Sequence, residues 1–410
     1  MGAEKNRRII LYYHFFTLSG TDPICGQIMK RNTVLITFGT RPEAIKMAPV
    51  VQAFQADGAW HAKVVLTAQH REMLDQVMEI FALRSDYDFN IMREKQTLEF
   101  ITSEVLQQFS EVINIEKPDL IMVHGDTTTT YSATMAGFYH HIPVAHIEAG
   151  LRSHDLDNPF PEEMNRRLTD ALCQLHFCPT KQAKENILQE RLTSRCLSVT
   201  GNTVIDALKQ ALSHIPTQKK RGNVSDKTIL MTMHRRESWG KPIESVAKAV
   251  KAVCQANQNV RVLFPIHKNP IVRDSIFPIL GGLPQVRLIE PLDYLSFIEA
   301  MQQSYLIISD SGGIQEEAPT LGKPVLLTRE VTERPEGIAS GVVKLVGTDT
   351  DRVQQEITKL IREEQYYQTM ITPQNPFGDG QASKRILKQL KLWASQPISD
   401  EFVSLGEFIS

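Results

Sequence analysis

The chain has 410 residues, 42% hydrophobic and 22% charged, so it is a globular protein too long for one ordinary core, and two domains are expected. Lys plus Arg number 45 against 47 for Asp plus Glu, and the net charge of −2 gives no bulk attraction to nucleic acid or an anionic membrane. Five cysteines spread thinly argue against a disulfide scaffold and suit a reducing compartment.

In chain order, Lys5, Arg7 and Arg8 precede an apolar run, Ile9 to Leu18, that imitates a signal peptide. The run is broken by His14, lacks an Ala-x-Ala-like cleavage site and falls far short of the ~20 residues that span a bilayer. Met29 sits just before the first clear strand, so residues 1–29 read as a non-native or poorly ordered leader. Candidate strands then follow at 33–38, 63–67, 119–123, 143–147 and 175–178. A second series runs at 227–231, 260–264, 286–289, 305–309, 324–327 and 342–345. Short β-branched runs, each followed by a helical-period stretch, describe α/β architecture with parallel sheets covered on both faces. The break near Thr200–Gln218, ending in the polar run Thr217–Asp226, divides an N-terminal domain (30–200) from a C-terminal one (201–378). Cys173, His176 and Cys178 lie close together, but their spacing fits no zinc module and they read as core.

Such sheets bind ligands at the carboxyl ends of their strands. The first strand runs into Phe38-Gly39-Thr40-Arg41-Pro42-Glu43, where Thr40 and Glu43 have capping-box spacing and Arg41 and Lys46 flank the helix start. The third ends in His124-Gly125-Asp126 before four threonines; a carboxylate there is either a base or only an N-cap. Glu148 ends the fourth strand, and a proline-rich loop, Pro159-Phe160-Pro161, delivers Glu162 to a helix start. Three converging carboxylates should repel one another enough to raise at least one pKa, the usual route to an acid/base pair. In the second half, His234 follows a strand directly. Asp310-Ser311-Gly312-Gly313 forms a strand-to-helix turn whose glycines admit a diphosphate, with Glu317 placed to accept ribose hydroxyls. Arg334 supplies a further cation. Neither a G-x-G-x-x-G nor a P-loop is present, and no metal or cofactor is expected.

Read together, these strings resemble the non-hydrolysing UDP-N-acetylglucosamine 2-epimerases. The resemblance is carried by FGTRPEAIK (38–46), TAQHREM (67–73), HGDTTTT (124–130), HIEAGLR (146–152), NPFPEEMNR (158–166), HRRE (234–237), DSGGIQEEAP (310–319), TERPE (332–336) and NPFGDGQA (375–382). It covers about residues 31 to 395, with the strings in order. It implies two Rossmann-like domains facing a central cleft, like glycosyltransferase B, with a helix in 379–396 crossing back to the N-terminal domain and a tail at 397–410. It further implies a cytosolic homodimer that interconverts UDP-GlcNAc and UDP-ManNAc for surface-polysaccharide synthesis. The positions carried over are Asp126, Glu148, Glu162 and His234 as catalytic. Arg41, Lys46, Ser311, Gly312, Gly313, Glu317 and Arg334 are UDP contacts, with Phe297 near the uracil. Gln69 and His70 match a segment that binds an activating second UDP-GlcNAc in bacterial members. An arginine usual in the helix after Thr97 is replaced here, with Glu104 its counterpart, which weakens that allosteric expectation. A hydrolysing epimerase, a glycosyltransferase of the same fold and a non-catalytic UDP-sugar binder are the alternatives.

Overall fold

The computed structural model describes residues 32–68, 71–93, 96–192, 194–215, 226–371 and 374–395. The leader, Gln69, His70, most of the polar 217–226 loop and the 397–410 tail lie outside them. From Asn32 onward the chain is one compact unit holding two sheets.

The first series of apolar runs forms β1 (Asn32–Phe38), β2 (Trp60–Leu66), β3 (Tyr87–Asp88), β4 (Leu120–His124), β5 (Val144–Ile147), β6 (Leu175–Cys178) and β7 (Cys196–Val199). Their order in the sheet is β3-β2-β1-β4-β5-β6-β7, and all pairings are parallel. The second series forms β8 (Lys227–Thr232), β9 (Val260–Pro265), β10 (Val286–Ile289), β11 (Leu306–Ser309), β12 (Val325–Leu327) and β13 (Val343–Leu345). These are ordered β10-β9-β8-β11-β12-β13, again parallel. Two strands escape the sequence pattern. β3 has only two residues, and β7 is a four-residue stretch interrupted by Ser198, so neither shows a sustained apolar run.

Local chemistry sets the helix that follows β1, Arg41–Asp57. Pro42 sits in its first turn, where a missing N–H does no harm. The Glu43 carboxylate accepts from the free N–H groups of Gly39 (3.0 Å) and Thr40 (2.8 Å). Gly58 ends the helix in the left-handed region (φ 68°), its N–H returning to the Phe54 carbonyl. Between these ends the helix buries Met47, Val50, Val51 and Phe54, each contributing roughly 1.5–3 kcal/mol.

The two sheets share one apolar core. It runs from Val34 and Ile36 of β1, through Val204 and Leu208 of the helix Thr203–His214, to Leu230 of β8 and Ile307 of β11. That helix packs on Arg41–Asp57 and also on the helices Tyr294–Gln303 and Gly312–Glu317 beside the second sheet. The closing helix, Ala382–Ser395, also lies on Arg41–Asp57, and Asp206 caps its start through the N–H groups of Ala382 (3.0 Å) and Ser383 (2.9 Å). Phe81 and Tyr294 form a tilted ring pair at 6.2 Å across the same junction.

Strand order reverses between β1 and β4 in one sheet and between β8 and β11 in the other. Those switch points are where ligands bind in open α/β sheets. The loops after these four strands carry Arg41, Asp126, His234 and Ser311, so the topology gathers the predicted residues at two facing edges. Cys173 and Cys178 are buried free thiols. The His176 nitrogens meet Ser194 Oγ and the Asp170 carbonyl, each at 2.9 Å, which is a core arrangement. Among the described residues no helix is long and apolar enough to cross a membrane.

Candidate functional site

Asp126 stands just past the end of β4, where Gly125 takes a positive φ of 67°. Its carboxylate is ion-paired with Arg166, and its carbonyl accepts from Asn165 Nδ2 at 2.9 Å. Both partners project from the helix Glu162–Leu172, so the loop that delivers Glu162 also clamps Asp126. Burial alone would push the Asp126 carboxyl up, but Arg166, with help from Arg334 and Lys46, holds it below its ordinary value. Glu162 moves the other way, raised first by burial and then by the Asp126 charge. Two neighbouring carboxyls are thus driven apart, one toward the ionised form and one toward the protonated form.

Glu148 follows β5 in the left-handed region (φ 66°), a conformation that costs a non-glycine residue about 1–3 kcal/mol. Gly150 (φ 82°) completes the turn; a Cβ there would lie 2.1 Å from the Ala183 carbonyl oxygen. The Glu148 carboxylate is buried, paired with Lys46 and accepting from Asn202 Nδ2 at 2.7 Å. Lys46 Nζ also lies 3.0 Å from Glu316 Oε2, so one ammonium joins a carboxylate beside the first sheet to one beside the second. Burial opposes that charge, yet Glu148 and Glu316 together raise the Lys46 pKa.

Glu316 belongs to the helix Gly312–Glu317, with Ser311 before it. Arg334 Nε donates to Glu316 Oε1 at 2.6 Å, and its Nη1 pairs with Glu333. The guanidinium lies flat against the glycine turn: a Cβ on Gly312 would stand 2.8 Å from Arg334 Nη1, whereas one on Gly313 would meet nothing within 4 Å. Glu333 is held further by Arg329 (2.9 Å). His234 donates its backbone N–H to Asp310, whose Oδ1 also lies 3.4 Å from the ring Nδ1. Burial lowers the His234 pKa, which leaves a neutral imidazole near neutrality.

At the far end of the site, burial raises the Glu317 carboxyl to about 7 against the pull of Tyr294, whose hydroxyl donates to Glu317 Oε1 at 2.9 Å. Arg41 is half-buried; burial lowers its pKa, and the nearby Glu317 and Asp293 partly restore it. Phe297 lies on the helix that Tyr294 begins. The pH consequence is direct. In the free protein Glu317 holds a proton below about pH 7, so it favours folding at low pH and loses that contribution as pH rises from the ordinary carboxyl value toward 7. A role as acceptor of sugar hydroxyls demands the ionised form. Binding of a ligand whose hydroxyls this carboxylate accepts is therefore expected to tighten about ten-fold from pH 6 to pH 8, with proton release by calorimetry, and Glu317→Gln should flatten the profile.

The structure brings Asp126, Glu148 and Glu162 together with Lys46, Arg334 and the Gly312 turn. Arg41 and Glu317 meet beside them, and His234 borders the turn through Asp310. Several contributors have contacts that the sequence does not show. Glu43 accepts from Thr127 Oγ1 (2.6 Å) and Thr130 Oγ1 (3.1 Å), binding the first strand end to the threonine run after Asp126. Asn202, Arg166, Glu316 and Glu333 are partners visible only once the strand ends are brought together.

A model of the family described as UDP-N-acetylglucosamine 2-epimerase matches residues 52–391. The UDP-N-acetylglucosamine 2-epimerase of Salmonella typhimurium is 50% identical over 368 residues, 87% of this chain and 98% of the relative. A crystal structure of UDP-GlcNAc 2-epimerase from Neisseria meningitidis, bound to UDP-GlcNAc, superposes with a TM-score of 0.84 at 48% identity. The match covers 88% of this chain and all of that one. At 11% identity the glycotransferase of kitacinnamycin shares the fold alone (TM-score 0.59, 88% of this chain and 99% of that one).

Proposed function

The chain belongs to the UDP-N-acetylglucosamine 2-epimerase family, and on that premise we propose that it interconverts UDP-GlcNAc and UDP-ManNAc without hydrolysis. In this reading UDP leaves to give 2-acetamidoglucal and adds back. The observation that carries it is the pair of carboxyls driven in opposite directions, Asp126 and Glu162, beside a cluster of cations shared by both sheets.

The C2 proton of an N-acetylhexosamine has no adjacent carbonyl and is barely acidic. Breaking the anomeric C1–O bond first develops positive charge at C1 and acidifies that proton. A base then removes it, and protonation from the other face followed by re-addition of UDP gives the epimer. Inversion needs a proton carrier on each face of C2. Asp126 or Glu148 serves as base on one side, and Glu162, raised toward its protonated form, serves as donor on the other. Lys46, Arg41, Arg334, His234 and the Ser311-Gly312-Gly313 turn stabilise departing UDP and keep it for return. Contact between the two halves excludes water that would trap the cation. A transferase donor site has no need of such converging carboxylates, which speaks against that alternative.

We place the division between the halves at residues 200–201, supported by the absence, among the described residues, of strand pairing between the sheets. The resemblance also supports a cytosolic homodimer feeding surface-polysaccharide synthesis, and sedimentation of the native protein at monomer mass would remove the dimer. The decisive experiment is incubation with UDP-GlcNAc in D2O, followed by NMR. Deuterium at C2 in a mixture of both UDP-sugars is the expected result. Free N-acetylmannosamine with UDP would instead make the enzyme a hydrolase, and an unexchanged C2 hydrogen would leave a binding protein.

A further inference from the structure

His124 ends β4, two residues before Asp126, and is buried. Among the described residues neither of its ring nitrogens has a hydrogen-bond partner. Nε2 stands 3.9 Å from Glu148 Oε2, beyond hydrogen-bond reach. A buried polar atom left unmade costs about 1–3 kcal/mol, so an imidazole with two such atoms calls for a state in which they are used.

The surroundings identify that state. The charged and titratable groups acting on His124 are Lys46 from the helix Arg41–Asp57, His146 from β5, Asp126 from its own loop, Glu148 from the turn after β5 and Glu316 from the helix Gly312–Glu317. Burial, then Lys46 and His146, keep the ring neutral, so it offers one donor and one acceptor. An acceptor 3.9 Å from Nε2 is Glu148 Oε2, which at present receives Lys46 and Asn202. Lys46 is divided between Glu148 and Glu316. A diphosphate is the more highly charged partner, and its arrival would draw the ammonium away from Glu148.

We propose that His124 is a positioning residue for Glu148, donating to that carboxylate when an incoming diphosphate takes Lys46. The inference rests on the nucleotide-sugar reading above. Closing the gap from 3.9 Å to about 3 Å suffices for the new bond. The exchange has a chemical consequence. A carboxylate paired with an ammonium is a weaker base than one held by a neutral donor, so substrate binding itself readies Glu148 to handle a proton.

The test compares His124→Ala and His124→Gln in the full-length protein, with UDP affinity measured on each. His124→Ala is expected to lower kcat by about 10²-fold and to weaken UDP affinity by about ten-fold, because the bond it removes is made only in the bound state. The acid limb of its kcat profile, which reports the substrate-bound state, should shift to higher pH, because a carboxylate deprived of its donor there is protonated more readily. The Gln amide N–H can stand in for Nε2–H and should restore about ten-fold of the loss. Wild-type turnover and pH profile in the Ala variant overturn the assignment, as does a Gln variant no better than Ala with UDP binding intact. A wild-type protein that binds UDP but never exchanges the C2 hydrogen overturns the epimerase reading itself, and this inference with it.

Discussion

Asp126→Asn and Glu148→Gln are each expected to reduce turnover by about 10²-fold or more without weakening UDP binding. Both substitutions keep size and hydrogen-bonding reach and remove the charge and, with it, the ability to take a proton. UDP binding is spared because, in the proposed arrangement, the anion contacts come from cations and a glycine turn, and loss of a carboxylate charge favours an anion. The predicted pattern is sharper than a loss of rate. An enzyme that inverts C2 with one carrier per face must lose glycal formation from only one epimer when one carrier is removed. Glu162→Gln should therefore block elimination from the epimer that the variant of the opposite carboxylate still accepts. Following 2-acetamidoglucal by NMR from UDP-GlcNAc and from UDP-ManNAc separately reads this out. Whichever of the Asp126 and Glu148 variants mirrors Glu162→Gln identifies the base, and full activity in both would remove acid/base work from that side of the ring.

The division between Asp126 and Glu148 has a structural basis. Asp126 is held ionised chiefly by Arg166, a fixed guanidinium from the helix that also presents Glu162. Glu148 is held by Lys46, which has a second carboxylate available in Glu316 and so can move. The first arrangement is a single fixed pair, whereas the second is the one that the proposed exchange would move. The strained φ of Glu148 fits a side chain whose direction is set by its surroundings rather than by backbone preference.

Strands and their ends were legible because a parallel sheet writes each strand as a bounded β-branched run and places its ligand groups just after it. That is why Arg41, Asp126, Glu148, His234 and Ser311 stand out as candidates in the sequence. The short β3 and the Ser-containing β7 left no such run. The partners of the site residues were hidden for a different reason. Glu316 reads as one of two acidic residues in a helix, and only the approach of the two sheets puts Lys46 beside it. Lys46 and Arg334 read as free cations for phosphate; in the fold each is already bound to carboxylates that a ligand must displace. Pairings between distant segments are a property of tertiary approach, and no local pattern encodes them.

The residue whose loss should do most damage to the fold gave no sign in the sequence at all. Asp170 is a carboxylate in the last turn of the helix Glu162–Leu172, fully buried and touching both turns that carry the catalytic candidates. Its Oδ1 lies 2.6 Å from His146 Nδ1, and His146 Nε2 in turn lies 2.7 Å from the Gly125 carbonyl, next to Asp126. Its Oδ2 accepts from Arg152 Nη1 (2.8 Å) and from the Gly150 N–H (3.1 Å), two residues after Glu148. Burial works against this charge, but His146 and Arg152 override it and hold the carboxyl well below the usual range. Because the folded-state pKa is depressed, the stabilisation is complete above the ordinary carboxyl value and disappears only as pH falls toward the folded-state value. Asp170→Ala leaves Arg152 paired with Glu190 alone and strips His146 Nδ1 and the Gly150 N–H of their buried partner; with each buried group left unpaired costing about 1–3 kcal/mol, the total is about 3 kcal/mol. The expected result is a denaturant midpoint displaced accordingly at pH 7, with the difference from wild type shrinking in strong acid. Turnover should fall as well, since both turns lose their common anchor. A variant with wild-type stability would mean that the ion pairs around Asp170 are replaceable by water, and that the turns holding Asp126 and Glu148 are fixed by their backbones alone.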